Sequence, residues 1–326
     1  MTIHFSTNPA PRAFSFLLLT QFSNHCLANA LEPLRAANML SGRPLYQWRL
    51  LSLEGDSVSS SSGLEIRTPH RLADEIDAGV LFVLSSYDYV RRTTPALVRL
   101  LRKAARVASV IGGLDTGSYA LAKAGLLDGY RATIHWQELD VFEEAFPRVR
   151  SLADRFVIDR NRITAGGATT ALDLMLHLIG QHHGEALRLE VTGLFIYDHP
   201  HSGGDPQRLA PVALASGHTP AVARAIAIME ANLEEPLAIG KLCRHAGCRQ
   251  RDLERQFKRA LDVTPLFYYR HLRLAVARRL VFETDRRVAD IAVRTGFGSA
   301  SALTRAFRQH FGDTPRKLRS LPDARE

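Results

Sequence analysis

The chain has 326 residues, 46% of them hydrophobic, with a formal net charge of +9; that is long for one domain and suits two, each with its own core. Residues 217–326 hold 21 Lys+Arg against 12 Asp+Glu, whereas residues 1–216 balance at 21 and 21, so the excess cation sits at one end. No stretch reaches the roughly 18 apolar residues of a membrane span, and three cysteines, Cys26, Cys243 and Cys248, make no disulfide framework and point to a reducing cytoplasm.

In chain order, the continuous apolar run Phe14 to Leu19 predicts a buried strand. Asn24 to Leu40 predicts a helix with Leu27, Leu31, Leu34 and Ala37 on one face. Trp48 to Leu53 and Val80 to Leu84 read as strands, Ser57 to Gly63 as a solvated turn, and Pro95 to Ala105 as a helix. A buried strand over Val107 to Ile111 runs into Gly112-Gly113 and a helix from Thr116 to Ala124. Ile163 to Gly167 leads into a last helix, about Ala168 to His182. This alternation predicts an α/β, flavodoxin-like parallel sheet sandwiched by helices over residues 1–197. Ligands of such sheets sit at the carboxyl ends of the strands, which directs attention to Gly112 to Gly117.

Asp198 to Gly217, rich in Pro, Gly and His, reads as a linker over 198–216. Residues 217–326 read as an all-α domain with two helix-turn-helix units. Leu253, Arg255, Phe257, Lys258, Thr264 and Pro265 recur 50 positions on as Leu303, Arg305, Phe307, Arg308, Thr314 and Pro315. Leu242, Cys243, Gly247 and Cys248 recur 49 positions on as Ile291, Ala292, Gly296 and Phe297. A repeated helical unit carrying all the excess cation implies double-stranded DNA as partner. Arg249, Gln250 and Arg251 open the first recognition helix, where Arg and Gln suit bidentate contacts to guanine and adenine. Ser299, Ser301 and Thr304 open the second and are expected to read less stringently. Arg255, Lys258, Arg305 and Arg308 suit phosphate contacts; Leu253, Phe257, Leu303 and Phe307 fall on the core face.

The segment Gly112-Gly113-Leu114-Asp115-Thr116-Gly117 resembles the nucleophile elbow of the PfpI/ThiJ group of class I glutamine-amidotransferase-like proteins. The likeness continues through Ala122 to Gly129, Ala132 to Trp136, Thr164 to Gly167 and Leu172 to Leu174. Enzymes of that group present a Cys at the elbow. Asp115 stands there instead, as in a regulator branch that has lost the nucleophile, so the resemblance implies a binding domain without enzymatic activity. It also implies that Glu32 and His135 converge on Asp115, where two carboxylates favour a cationic group. Trp136, Tyr119, Phe22 and Tyr87 are candidate aromatic faces for a quaternary or alkylated ammonium. A helix N-cap is the other reading of Asp115.

Phe22-Ser23, Ala30 to Asn38, Leu40 to Gly42 and Tyr46 to Trp48 resemble GlxA-type regulators, a branch that senses methylated amines. The basic half resembles the AraC/XylS-type DNA-binding domain from Leu237 to Pro315, with Leu303 where an aromatic is usual. The resemblance implies a cytoplasmic transcriptional regulator, an activator by expectation, that forms a homodimer through its first domain. Its expected partners are RNA polymerase and a small effector of the betaine, carnitine or basic amino-acid kind. No cofactor, metal or membrane is called for. His182-His183 and His199/His201 lack a carboxylate or Cys at ligand spacing, and Cys243 to Cys248 lacks a second ligand pair. A hydrolase fused to a DNA-binding tail, and a first domain that only dimerises, are the competing readings.

Overall fold

A computed structural model describes residues 10–197, 200–207, 219–284 and 286–320. The chain divides after Gln207 into two compact units.

The first unit is built on eleven strands: β1 (Arg12–Leu18), β2 (Tyr46–Ser52), β3 (Ser57–Ser59), β4 (Glu65–Arg67), β5 (His70–Arg71), β6 (Val80–Ser85), β7 (Val110–Asp115), β8 (Arg131–Ala132), β9 (Arg150–Ser151), β10 (Phe156–Asp159) and β11 (Arg162–Ala165). Seven form one sheet in the order β10-β11-β7-β6-β1-β2-β5, parallel except for the β10–β11 pair. Seven helices surround it: α1 (Asn24–Ser41), α2 (Tyr89–Arg92), α3 (Pro95–Ala104), α4 (Gly117–Lys123), α5 (Leu139–Ala145), α6 (Thr169–His183) and α7 (Glu185–Leu194).

Strand alternation divides the core between the two faces of the sheet. Phe14, Phe16, Leu18, Phe82, Leu84 and Leu114 pack with α1 and α6. Leu17, Leu81, Val83 and Ile111 point the other way, to α3, α4 and α5. Both faces are covered, so the central strands read as unbroken apolar runs. The flavodoxin-like parallel sheet read from the sequence is the architecture found.

Three local expectations are corrected. Gly112 and Gly113 lie inside β7, which spans Val110–Asp115 rather than 107–111. They are glycine for lack of room: a Cβ on Gly112 would collide with the Ile163 carbonyl and the Phe82 ring, and one on Gly113 with the α4 backbone. Ser57 to Ser59 pairs with β4, and Ser60 is buried against the Phe22 backbone, so this stretch is a hairpin and not a solvated turn. Residues 200–207, read as linker, run along the outer edge of β10. Arg155 N–H donates to the Asp205 carbonyl at 2.9 Å, and Asp154 pairs with Pro206. An edge strand covered in this way is protected from stray pairing. Asp198, His199 and 208–216 lie outside the described residues.

The described residues of the second unit form helices and no strand: α8 (Pro220–Ala231), α9 (Ile239–Ala246), α10 (Gln250–Leu261), α11 (Pro265–Glu283), α12 (Val288–Arg294), α13 (Ala300–Phe311) and α14 (Pro315–Ser320). Helix α8 stops at Ala231. The pairs α9–α10 and α12–α13 are the two helix-turn-helix units. Gly247 (φ 70°) and Gly296 (φ 64°) hold the left-handed residue of each turn. The repeat runs deeper than the sequence comparison suggested. Arg224 on α8 donates Nε to the Ala246 carbonyl at 3.1 Å; 49 positions on, Arg273 on α11 donates Nε to the Thr295 carbonyl at 2.7 Å and Nη2 to the Gly296 carbonyl at 2.6 Å. Each head therefore hangs from an arginine on the preceding helix. A Cβ on Gly296 would strike Pro236 and the Leu233 carbonyl. Gly296→Ala is expected to destabilise this unit by about 1–3 kcal/mol through strain and crowding. Amide exchange confined to 220–320 checks it.

Candidate functional site

At the carboxyl ends of the neighbouring strands β1, β6, β7 and β11 the chain places a non-glycine residue at positive φ in or just after each strand: Gln21 (66°), Asp88 (57°), Asp115 (60°) and Ala168 (47°). Such conformations cost of order 1–3 kcal/mol each and cluster where function needs them. Asp tolerates the left-handed region better than most residues.

Asp115 is the last residue of β7 and is 5% exposed. The elbow closes tightly around it: a Cβ on Gly117 would overlap the Val83 carbonyl, and one on Gly167 would come within 2.7 Å of the Asp115 Cβ. Ser86 Oγ donates to Asp115 Oδ2 at 3.1 Å. The N-cap position of α4 is Thr116, whose hydroxyl donates to the Ser86 carbonyl at 2.8 Å and whose backbone N–H donates to the Ser85 carbonyl at 3.1 Å. Burial raises the Asp115 pKa to about 7; Ser86 opposes the shift, the nearby Glu138 carboxylate adds to it, and the Thr116 N–H opposes it. Cys26 lies fully buried beside it, its thiol pushed up by burial and by the Asp115 charge.

The second carboxylate is Glu138, which the sequence reading missed. It closes a short 3-10 helix (Trp136–Glu138), is 4% exposed, and accepts the Tyr89 hydroxyl at 2.7 Å. Glu32 does not fill this role. It lies on the outer face of α1, whose inward side is Cys26, Leu27, Ala30, Leu34 and Ala37, and its exposed carboxylate pairs with Arg35 at 2.7 Å.

The other site residues divide between rim and interior. His135 donates its backbone N–H to the Asp115 carbonyl at 3.3 Å and packs against the Trp136 ring, with centroids 5.8 Å apart. Trp136 is 40% and Tyr87 53% exposed, which places both at the surface. Tyr119 instead packs edge-on against Tyr89 and Phe146 at 4.9 and 5.1 Å. Phe22 is fully buried in the core behind the rim. Both were read as cage faces, and both pack instead among other side chains of the domain. Among the described residues no cluster of three or more His, Cys, Asp or Glu could hold a metal ion.

In the second unit the two recognition helices α10 and α13 occupy corresponding positions, each 12 residues long. Leu253, Phe257, Leu303 and Phe307 are fully buried, so Leu303 is a core position as read. Arg249 and Arg251 are exposed, and their side chains make no hydrogen bond or ion pair among the described residues. Gln250 donates to Glu254 at 2.8 Å. Arg255 pairs with Asp252 at 2.8 Å and Lys258 with Asp262 at 2.6 Å. These exposed pairs are weak and leave both cations able to exchange toward phosphate. Ser299 caps α13 by accepting from Ala302 N–H at 3.1 Å, and its hydroxyl proton remains to donate. Ser301, Arg305 and Arg308 are exposed, and Thr304 is half-buried.

The first unit, with an elbow at the end of a central parallel strand, and the second, with two helix-turn-helix heads, define a class: an α/β domain of DJ-1/PfpI type joined to a tandem helix-turn-helix domain. Comparison with known proteins agrees. The DJ-1/PfpI family model matches residues 30–181 and the helix-turn-helix domain model residues 242–320. The chain is 41% identical over 96% of its length to the HTH-type transcriptional regulator GbdR of Pseudomonas aeruginosa, covering 85% of that protein. It is 39% identical to CdhR of the same species (94% of this chain, 91% of that one) and 35% identical to GlxA of Rhizobium meliloti (93% and 94%). The crystal structure of an AraC family transcriptional regulator from Pseudomonas putida is 32% identical, with a TM-score of 0.51 over 57% of this chain and all of that one. The chain belongs to the AraC/XylS-type family of transcriptional regulators, in the GlxA group that carries a DJ-1/PfpI domain, and it is a DNA-binding regulator. No described helix is long and apolar enough to cross a membrane.

Proposed function

We propose that this regulator is a cytoplasmic sensor of a small cationic metabolite, an amine of the quaternary, methylated or basic amino-acid kind, bound at the Asp115 elbow. The observation that carries the reading is the pair of buried carboxylates, Asp115 and Glu138, at a strained strand end where the enzymes of the fold present a thiol. Two buried carboxyl groups sharing a low-dielectric site favour a cationic group beside them. Trp136 and Tyr87 offer the exposed rings that suit an alkylammonium, and His135 lines the same rim.

Asp115 in place of the elbow Cys supports binding without hydrolase chemistry. The effector acts by preferring one of two states of the protein, which we take to be a homodimer that activates transcription with RNA polymerase. Arg249, Gln250 and Arg251 read bases in one major groove. Ser299, Ser301 and Thr304 read the next, one helical turn along. Arg255, Lys258, Arg305 and Arg308 hold phosphates.

A thermal-shift panel of glycine betaine, dimethylglycine, carnitine and arginine tests the sensor reading, with Asp115→Asn alongside. The asparagine keeps the left-handed backbone and removes the charge. A stabilising ligand lost in the variant supports the proposal; a flat panel, or a hit indifferent to the substitution, counts against it. For the reading head, Arg251→Ala is expected to cost about 1–3 kcal/mol at one base position. Competition binding over single-base operator variants checks this, and uniform weakening would assign Arg251 to the phosphates.

A further inference from the structure

Gln207, the last residue of the first unit, is bonded into the strand-end rim. Its side-chain Nε2 donates to Thr133 Oγ1 at 2.9 Å, to the Ile134 carbonyl at 2.7 Å and to the Asp154 carbonyl at 3.0 Å, while Oε1 accepts the Trp136 backbone N–H at 2.8 Å. Its own backbone N–H donates to the Ala153 carbonyl at 3.2 Å. The amide lies against the α-carbon of Gly166, where any Cβ would overlap it; the next residue, Gly167, abuts Asp115.

The segment 133–136 is thus gripped from two sides, by Asp115 through the His135 amide and by Gln207 through the Trp136 amide. Behind Gln207, residues 201–206 are tied to β10 and to Asp173, whose Oδ1 accepts both the His201 N–H and the Tyr197 hydroxyl at 3.0 Å. Beyond Gln207 the chain continues from Arg208 toward the DNA-binding unit.

We propose that Gln207 is a latch through which occupancy of the Asp115 site reaches the DNA-binding unit: a ligand that moves His135 and Trp136 makes or breaks the Gln207 bonds and so frees or fixes the start of the connection. The inference rests on the sensor reading above, because it requires the ligand to sit on the His135–Trp136 rim. A change of 133–136 by a few tenths of an ångström suffices, since three of the four hydrogen bonds of one side chain depend on that segment's geometry. The anchor at Asp173 holds the preceding strap still, so movement is delivered forward along the chain.

The test compares full-length protein with Gln207→Ala and Gln207→Glu; the glutamate keeps the acceptor for Trp136 and removes the donor to three oxygens. Without ligand, amide exchange over 133–136 is expected to rise about tenfold in Gln207→Ala. Affinity for a DNA duplex selected from a random pool by the wild type is expected to change by about threefold or more. With the same four amines as probes, the variant should keep any wild-type affinity within about threefold, while the probe's effect on DNA affinity falls about fivefold or more. Loosened 133–136 amides with unchanged DNA affinity and unchanged probe response, in both variants, would overturn the latch. If no probe binds the wild type, the amine reading fails, and the ligand-free DNA comparison still decides the latch.

Discussion

Replacing Arg155 with alanine is expected to destabilise the first unit by about 3–5 kcal/mol, because it leaves a fully buried carboxylate without its cation. The Arg155 and Asp173 side chains are 5% and 0% exposed and meet at 2.7 Å through both Nε and Nη2. Arg155 Nη2 also reaches Thr169 Oγ1 at 3.2 Å, and Nη1 the Gln207 carbonyl at 3.4 Å, so one guanidinium ties β10, α6 and the strap together. The chain has two tryptophans, Trp48 and Trp136, both in the first unit. Tryptophan fluorescence during urea unfolding therefore reports that unit alone. A loss under 1 kcal/mol would show that the pair is replaceable by packing or water.

The second large effect concerns pH. Burial lifts the Asp115 pKa from 3.8 to about 7, so the folded state holds this proton more tightly than the unfolded chain does. The protonated group contributes stability that is fully present below pH 3.8 and is lost as pH rises through about 7. A cationic ligand requires the ionised form and releases the proton. Its affinity is expected to rise about tenfold between pH 6 and pH 8, following the ionised fraction of a group titrating near 7. Asp115→Asn should weaken binding and flatten that slope. Calorimetric titration in buffers of different ionisation enthalpy measures both the affinity and the proton released; equal affinity at the two pH values would remove Asp115 from the cation's contact shell.

How far the sequence reached can be judged residue by residue. The central strands were legible because both faces of the sheet are covered, which writes them as apolar runs. The two heads were legible because tandem duplication repeats their core and turn residues at fixed offsets. The same offset joins Arg224 to Arg273, a signal present in the chain and overlooked because the preceding helices otherwise differ. Asp115 was found through the elbow pattern. Glu138 was not: it follows Trp136-Gln137 in a polar stretch that looks like surface, and only the turn of a 3-10 helix carries it inward. Glu32 misled for the opposite reason, since resemblance named it while the α1 register puts it beside Arg35 in solvent. Gln207 left no local trace at all, because its four hydrogen bonds go to residues 53 to 74 positions away.

If the first unit senses and the second reads, the DNA affinity of the full-length protein differs with and without a saturating amine from the panel. The expected change is at least about fivefold, a coupling near 1 kcal/mol, and it disappears in Asp115→Asn while the ligand-free affinity stays as it was. A bound amine that leaves DNA affinity unchanged in the wild type would contradict it.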